Sequence, residues 1–296
     1  MQSLSLRGTF HTMLAKRFII VAGLLALLAA ACGNTVTSNL NITQGSGKIV
    51  TESRDVNGFQ AVELTTSGSL VIEQGEAEAL TIETDDNILP LLTSDVQNGK
   101  LTLGTKPGSS FNTRQGIIYR LTVKDLNALT LASSGDAELD RLETAALTIV
   151  VSGSGDLRLG TINVQNDLSI TISSAGDVTA ERVECQNLNL TSSGSGSADL
   201  KAVSAGKIAA RLSSAGNAAL AGTADEQDIE VSGSGDYDAQ NLESANVKAV
   251  TSSAGDIRVK VSDRLDATVS GSGSIFYSGS PQVTANDTSA GSITQQ

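Results

Sequence analysis

The residues best suited to chemistry are five aspartates that each follow a glycine at nearly constant spacing: Asp136, Asp156, Asp177, Asp236 and Asp256. On adjacent turns of a repeating chain their carboxylates would stand about 5 Å apart. Like charges at that distance repel, and a bound cation such as calcium, or a shared proton, would relieve them. The competing reading is structural capping, in which each carboxylate accepts backbone N–H groups at a Gly-Asp corner. Ser197, Asn217 and Ser274 take the same place in other repeats, as turn-capping residues should. Calcium-binding nonapeptide arrays repeat far more tightly. Capping is therefore the preferred reading, and calcium the one cofactor the sequence raises.

Other chemistry is sparse. The single histidine, His11, lies in the first 31 residues, and the only cysteines are Cys32 and Cys185. Cys185 sits in Val183-Glu-Cys-Gln-Asn-Leu188, where alternation places it beside Val183 on an inward face as a packed thiol. Cleavage of acidic polysaccharides needs clustered aspartates facing Lys or Arg in a cleft, and such clefts are built by long loops. Tyr237, Phe276 and Tyr277 are the aromatic residues best placed to stack on sugars, and they read better as core or end cover. The Gly-x-Gly phrases carry no following helix, so a dinucleotide site is not supported.

The elements that must position these residues repeat. Val151-Ser-Gly-Ser-Gly-Asp156, Ile172-Ser-Ser-Ala-Gly-Asp177 and their later copies recur with steps of 20, 21, 20, 20, 19, 20, 18 and 18 residues. A period near twenty with short apolar runs between Gly-rich corners marks stacked coils. Past each corner, Leu157-Arg-Leu159 or Ile257-Arg-Val259 alternates inward, outward, inward, and Leu147, Ile149 and Val151 do the same on the strand entering the next corner. The fold class that follows is all-β, a right-handed parallel β-helix (β-solenoid) with about 20 residues and some five buried apolar side chains per coil. Gly153, Gly155, Gly176, Gly194, Gly196, Gly216, Gly233, Gly235 and Gly255 form its structural corner. Two residues before the final glycine, Ser133, Gly153, Ser174, Gly194, Ser214, Gly233, Ser253, Gly271 and Ser289 alternate without exception. The expectation is that each serine hydroxyl needs the room left by glycine above and below.

Ahead of the array, a basic start (Arg7, Lys16, Arg17) precedes the apolar run from Phe18 to Leu28 and the small residues Ala29-Ala30-Ala31. This pattern reads as an export signal too short to span a bilayer, whether translation starts at Met1 or Met13. With Cys32 next, it resembles the lipobox of bacterial lipoproteins, which implies lipidation of Cys32 and anchorage of the mature chain. Residues 1–31 are then a lipoprotein signal peptide and 32–48, polar and small, a flexible tether. Removing Arg7, Lys16 and Arg17 leaves 17 basic against 32 acidic residues, a net charge near −15. That balance argues against nucleic acid and anionic lipid as direct partners. A lipidated Cys32 leaves Cys185 without an intrachain partner, so stacking alone must hold the fold.

Residues 49–135 show looser periodicity and read as irregular coils that cap the regular ones of 136–296, with one helical turn at Asp86–Leu92 broken by Pro90. Within them, Ser53-Arg-Asp-Val-Asn-Gly-Phe59, Leu80-Thr-Ile-Glu-Thr-Asp-Asp-Asn-Ile-Leu89, Val96-Gln-Asn-Gly-Lys-Leu101 and Tyr119-Arg-Leu-Thr-Val-Lys-Asp-Leu126 lead into the Ser-Gly-Asp repeats. This order resembles the head domain of autotransporter adhesins, the GIN domain, over about Ile49 to Ser274. The resemblance implies a β-helical fold on a secreted or lipid-anchored bacterial protein, at the outer membrane or cell surface. It also implies adhesion or scaffolding, with a glycan or surface protein as partner and no catalysis. The rival from another class is a β-helical polysaccharide lyase or glycoside hydrolase. In the last coil Asn286-Asp287-Thr288 replaces an apolar pair, so this end is expected to fray rather than to pair end to end with another copy.

Overall fold

A computed structural model describes residues 42–288 and 290–296. The expected signal peptide, Cys32 and the first part of the expected tether lie outside the described residues. The N-terminal strands are β1 (Ile42–Gln44), β2 (Ile49–Arg54), β3 (Ala61–Leu64), β4 (Ser69–Gln74), β5 (Ala79–Asp85), β6 (Leu92–Gln97), β7 (Lys100–Thr105), β8 (Ser110–Asn112), β9 (Ile118–Val123) and β10 (Ala128–Leu131). The array continues as β11 (Asp136–Thr144), β12 (Leu147–Val151), β13 (Leu157–Val164), β14 (Asp167–Ile172), β15 (Val178–Ser192), β16 (Ala198–Leu212), β17 (Ala218–Val231) and β18 (Tyr237–Thr251). It closes with β19 (Ile257–Val269), β20 (Ile275–Gly279), β21 (Gln282–Asp287) and β22 (Ile293–Gln295).

From β10 onward every pairing is parallel and joins residues one coil apart, such as Leu157↔Val178 and Ile172↔Ser192. The chain is thus a parallel β-solenoid. Burial alternates in three runs per coil rather than two. In one coil Leu157 and Leu159, then Ile162 and Val164, then Leu168, Ile170 and Ile172 point inward. Two residues, Gly160 and Thr161, reset the phase at the first bend, and three exposed residues, Gln165 to Asp167, separate the second run from the third without changing it. The inward set is therefore seven, not five, because the short middle run is too brief to register as an alternation in sequence. Deletions in the repeat fall at bends: register slips between Leu200 and Val203 and between Ala239 and Glu243, while the faces stay aligned. A slip on a face would turn every inward side chain outward, whereas a bend has no ladder to lose.

The N-terminal part departs from simple coils. β3 and β4 pair in parallel with β10 and β11, so they make a coil of the regular kind. The intervening chain turns back beyond them, with β2–β5, β5–β9 and β6–β7 antiparallel. Asn98 and Gly99, both at positive φ, form the tight turn between β6 and β7. The expected helical turn appears as a single 3-10 turn at Leu89–Leu91. Antiparallel edges crossed by charged residues such as Glu52, Arg54 and Asp95 blunt this end against further pairing.

Two expectations about the ends change. The tether does not run to Lys48: β1 pairs with β8, and Asp85, fully buried, accepts N–H groups from Gly47 (2.6 Å) and Arg114 (3.0 Å). Asn87 holds the same segment, accepting from the Ser46 N–H at 2.9 Å and donating to the Gln44 carbonyl at 2.8 Å. At the other end the chain is paired rather than frayed. β21 follows β19 in parallel register from Gln282 to Asp287, and β22 follows β20.

Candidate functional site

The aspartate column lies on the corner between β-strands and is a hydrogen-bond ladder. Asp136 Oδ1 accepts the backbone N–H of Asp156 at 2.9 Å, Asp156 Oδ1 that of Asp177 at 3.1 Å, and Asp177 Oδ1 that of Ser197 at 2.7 Å. Ser197 Oγ and Asn217 Oδ1 pass the pattern on to Asn217 and Asp236, and Asp236 and Asp256 continue it to Asp256 and Ser274. The following residue completes each rung: the Leu157 N–H donates to the Asp177 carbonyl at 2.8 Å. Each side chain thus caps the N–H that the corner would otherwise leave unpaired. Arg258 lies against the second aspartate pair, with Nη2 3.1 Å from Asp256 and Nη1 3.8 Å from Asp236, and its guanidinium covers the Phe276 ring at 5.1 Å. Among the described residues no three His, Cys, Asp or Glu side chains converge as metal ligands.

The ladder makes a sharp distinction between side chains of one shape. Asp156→Asn keeps an acceptor, as Asn217 does naturally, and is expected to be neutral within a few tenths of a kcal/mol. Asp156→Ala removes the cap from Asp177 and is expected to cost about 1 kcal/mol in urea unfolding. Equal melting of the two variants would dismiss the capping role.

The glycine corner is tighter than the sequence implied, and for a different reason. A Cβ on Gly153, Gly194 or Gly233 would overlap the backbone carbonyl of Ser133, Ser174 or Ser214 in the preceding coil. The final glycines, Gly155, Gly176, Gly196, Gly216, Gly235 and Gly255, face inward and sit equally close to the glycine one coil before. Serine carbonyls in this column accept from the coil above: the Ser195 and Gly196 N–H groups both converge on Ser174 O, at 3.0 and 2.9 Å. The alternation of Ser and Gly is therefore set by carbonyl approach, not by room for a hydroxyl.

The remaining candidates are packed. Cys185 pairs in register with Ala205, is half-buried, and has its thiol pushed up to about 11 by burial and then by the nearby charge of Asp167. Tyr237 is fully buried, and Tyr277 packs partly against the core. Sequence reading missed a polar group inside the core. The Tyr237 hydroxyl donates to Gln227 Oε1 at 2.7 Å, and Gln227 Nε2 donates to Ser244 Oγ at 2.8 Å. Gln227 stands in a column otherwise filled by Leu188, Ile208, Val247 and Leu265, and that column break was its signal.

With this geometry in hand, the chain matches the family described as "Putative auto-transporter adhesin, head GIN domain" over residues 58–181 and 161–281. The two matches overlap, as expected where one coil can be laid upon the next, and together they span well over half the chain. The chain belongs to the GIN-domain family. Its solved relatives include a putative lipid binding protein from Parabacteroides distasonis, 22% identical over 86% of this chain and 98% of the other, with a TM-score of 0.67. A putative adhesin from Parabacteroides merdae is 21% identical over 86% and 98%, with a TM-score of 0.65. Another from Bacteroides fragilis is 25% identical over 86% and 99%, with a TM-score of 0.51. No curated protein matches with significance. Membership of a GIN-domain family of adhesin heads supports a binding module of an exported or cell-surface protein. Among the described residues no helix is long and apolar enough to cross a membrane.

Proposed function

We propose that this GIN-domain protein is a lipid-anchored, non-catalytic adhesion or scaffolding rod at the bacterial cell surface, held to the membrane through Cys32. The observation that carries the reading is the joining of a lipobox-like Leu28-Ala-Ala-Ala-Cys32 to a family of adhesin heads. From Asp136 onward, coils of 18 to 21 residues carry no insertion long enough to wall a catalytic cleft, and the concave places among the described residues include shallow ones, such as one of about 440 Å³ lined by Glu143, Asn163 and Glu184. These features favour presentation of a long surface over turnover by a lyase or hydrolase. A glycan or a surface protein is the partner class.

Mass spectrometry of the exported protein should find a diacylglyceryl-modified Cys32 at the mature N-terminus. Cys32→Ala should move the protein from the membrane fraction to the soluble one without changing its melting temperature. A mature N-terminus elsewhere, or a Cys32→Ala protein that stays with membranes, would refute the anchor. Binding screens on neutral and acidic glycans and on matrix proteins test the adhesive role separately from the anchor.

A further inference from the structure

We infer that the third face of the late coils carries a binding site for an acidic sugar, recognised by Lys248 and Arg264 through its carboxylate. The inference rests on the binding-module reading and names its ligand class.

The parallel register assembles the site from four coils. Lys207, Glu226, Asn246 and Arg264 stack in one outward column, and Asp228, Lys248 and Asp266 in the next. The inward column between them, Gln227 and Val247, is buried and forms the floor. Together these residues line a shallow depression of about 270 Å³, the size of one or two sugar rings. Most charges around it are already answered. Lys207 lies 3.8 Å from Glu226, and Arg211 reaches Asp228 at 3.1 Å and Glu230 at 3.2 Å. Lys248 and Arg264 make no ion pair within 4.0 Å among the described residues, and neither does Asp266. Lys248 and Arg264 are thus the two cations of the depression with no carboxylate within 4.0 Å, while its lining as a whole balances Lys207, Lys248 and Arg264 against Glu226, Asp228 and Asp266.

The mixture selects the ligand. A carboxylate can bridge the Lys248 ammonium and the guanidinium of Arg264, the latter able to meet it with two parallel N–H groups. Asn246, exposed between Glu226 and Arg264, offers both a donor and an acceptor, and Asp266 an acceptor, to ring hydroxyls. A polyphosphate chain would meet Glu226, Asp228 and Asp266 in the same depression and be repelled. An isolated anionic group on a hydroxylated, otherwise neutral chain fits all of these demands.

The test uses the full-length protein and a hyaluronan decasaccharide, in which every second sugar carries a carboxylate. Titration calorimetry at low salt should show binding that is lost when the carboxylates are reduced to alcohols. Lys248→Gln combined with Arg264→Gln should weaken it at least tenfold, while Arg141→Gln with Arg182→Gln, on other faces, should leave it unchanged. All four side chains are solvent-facing, so melting temperatures should stay level and serve as the folding control. A sulfated chondroitin arm and an inorganic sulfate arm separate a carboxylate site from a general anion site: equal binding of sulfate alone would overturn the sugar assignment. No binding of the decasaccharide, or undiminished binding by the double variant, would overturn the proposal. If the double variant keeps adhesion to other glycans or proteins, only this site fails and the adhesive reading stands; loss of all adhesion by the wild-type protein would sink the broader reading instead.

Discussion

Gly194→Ala combined with Gly233→Ala is expected to break the stack, costing about 3 kcal/mol or more at each site, the upper end of overpacking effects. The added methyl group at each position falls on the carbonyl of Ser174 or Ser214, a backbone atom already fixed by N–H groups from the coil above. A rotamer change cannot relieve a clash between two main chains, so whole coils must separate. In a solenoid each coil contacts only its neighbours. Hydrogen exchange should therefore rise first in β15 to β18, with the early coils protected longer. The reverse exchange, Ser174→Gly, should cost only about 0.5–1 kcal/mol through chain entropy. Urea unfolding of secreted protein reads both, and a double glycine variant that melts with the wild type would reject carbonyl approach as the cause of the alternation.

Tyr237→Phe is expected to cost about 2 kcal/mol, because it leaves Gln227 Oε1 buried with no donor. Gln227→Leu should cost a similar amount by stranding the Tyr237 hydroxyl. The triple variant Gln227→Leu, Ser244→Ala, Tyr237→Phe should recover most of the loss, since an apolar set of similar shape owes no hydrogen bonds. Leu188, Ile208 and Val247 in the Gln227 column, and Ala205 and Ala224 in the Ser244 column, show that such side chains fit there. Strict additivity of the three changes in unfolding free energy would mean that the groups act independently. Burial also holds the Tyr237 hydroxyl well above its ordinary range, so it ionises later in the fold than in the unfolded chain. The stabilisation is then complete below about pH 10 and is lost as pH rises beyond it. Tyr237→Phe should flatten that alkaline loss.

The ion pairs add less. Lys260 and Glu243, 3.1 Å apart, link neighbouring coils, but both are exposed and such pairs contribute little. They do keep an acidic rod from repelling itself coil by coil.

The repeat by itself determined the architecture. A glycine corner every twenty residues with alternating apolar runs such as Leu147, Ile149, Val151 admits parallel stacking and little else, because no coil can cover its own inward face. The sequence also placed Asp136 to Asp256 in one column and favoured their capping role, since Ser and Asn substitute there. What it could not determine depended on contacts between coils. The middle run of two inward residues, Ile162 and Val164, is too short to be seen as alternation. Of the antiparallel turn-back of β5 to β9, only the β6–β7 hairpin has a local signal, Asn98-Gly99; the β2–β5 and β5–β9 pairings have none, because partners at long separation are chosen by edges left open elsewhere. The Ser and Gly alternation was visible in sequence, but its cause was not: a hydroxyl can be inferred from a side chain, whereas the approach of one carbonyl to the Cα of the next coil exists only once the coils are stacked. Arg264, eighteen positions from Asn246 and sixteen from Lys248, comes beside them for the same reason.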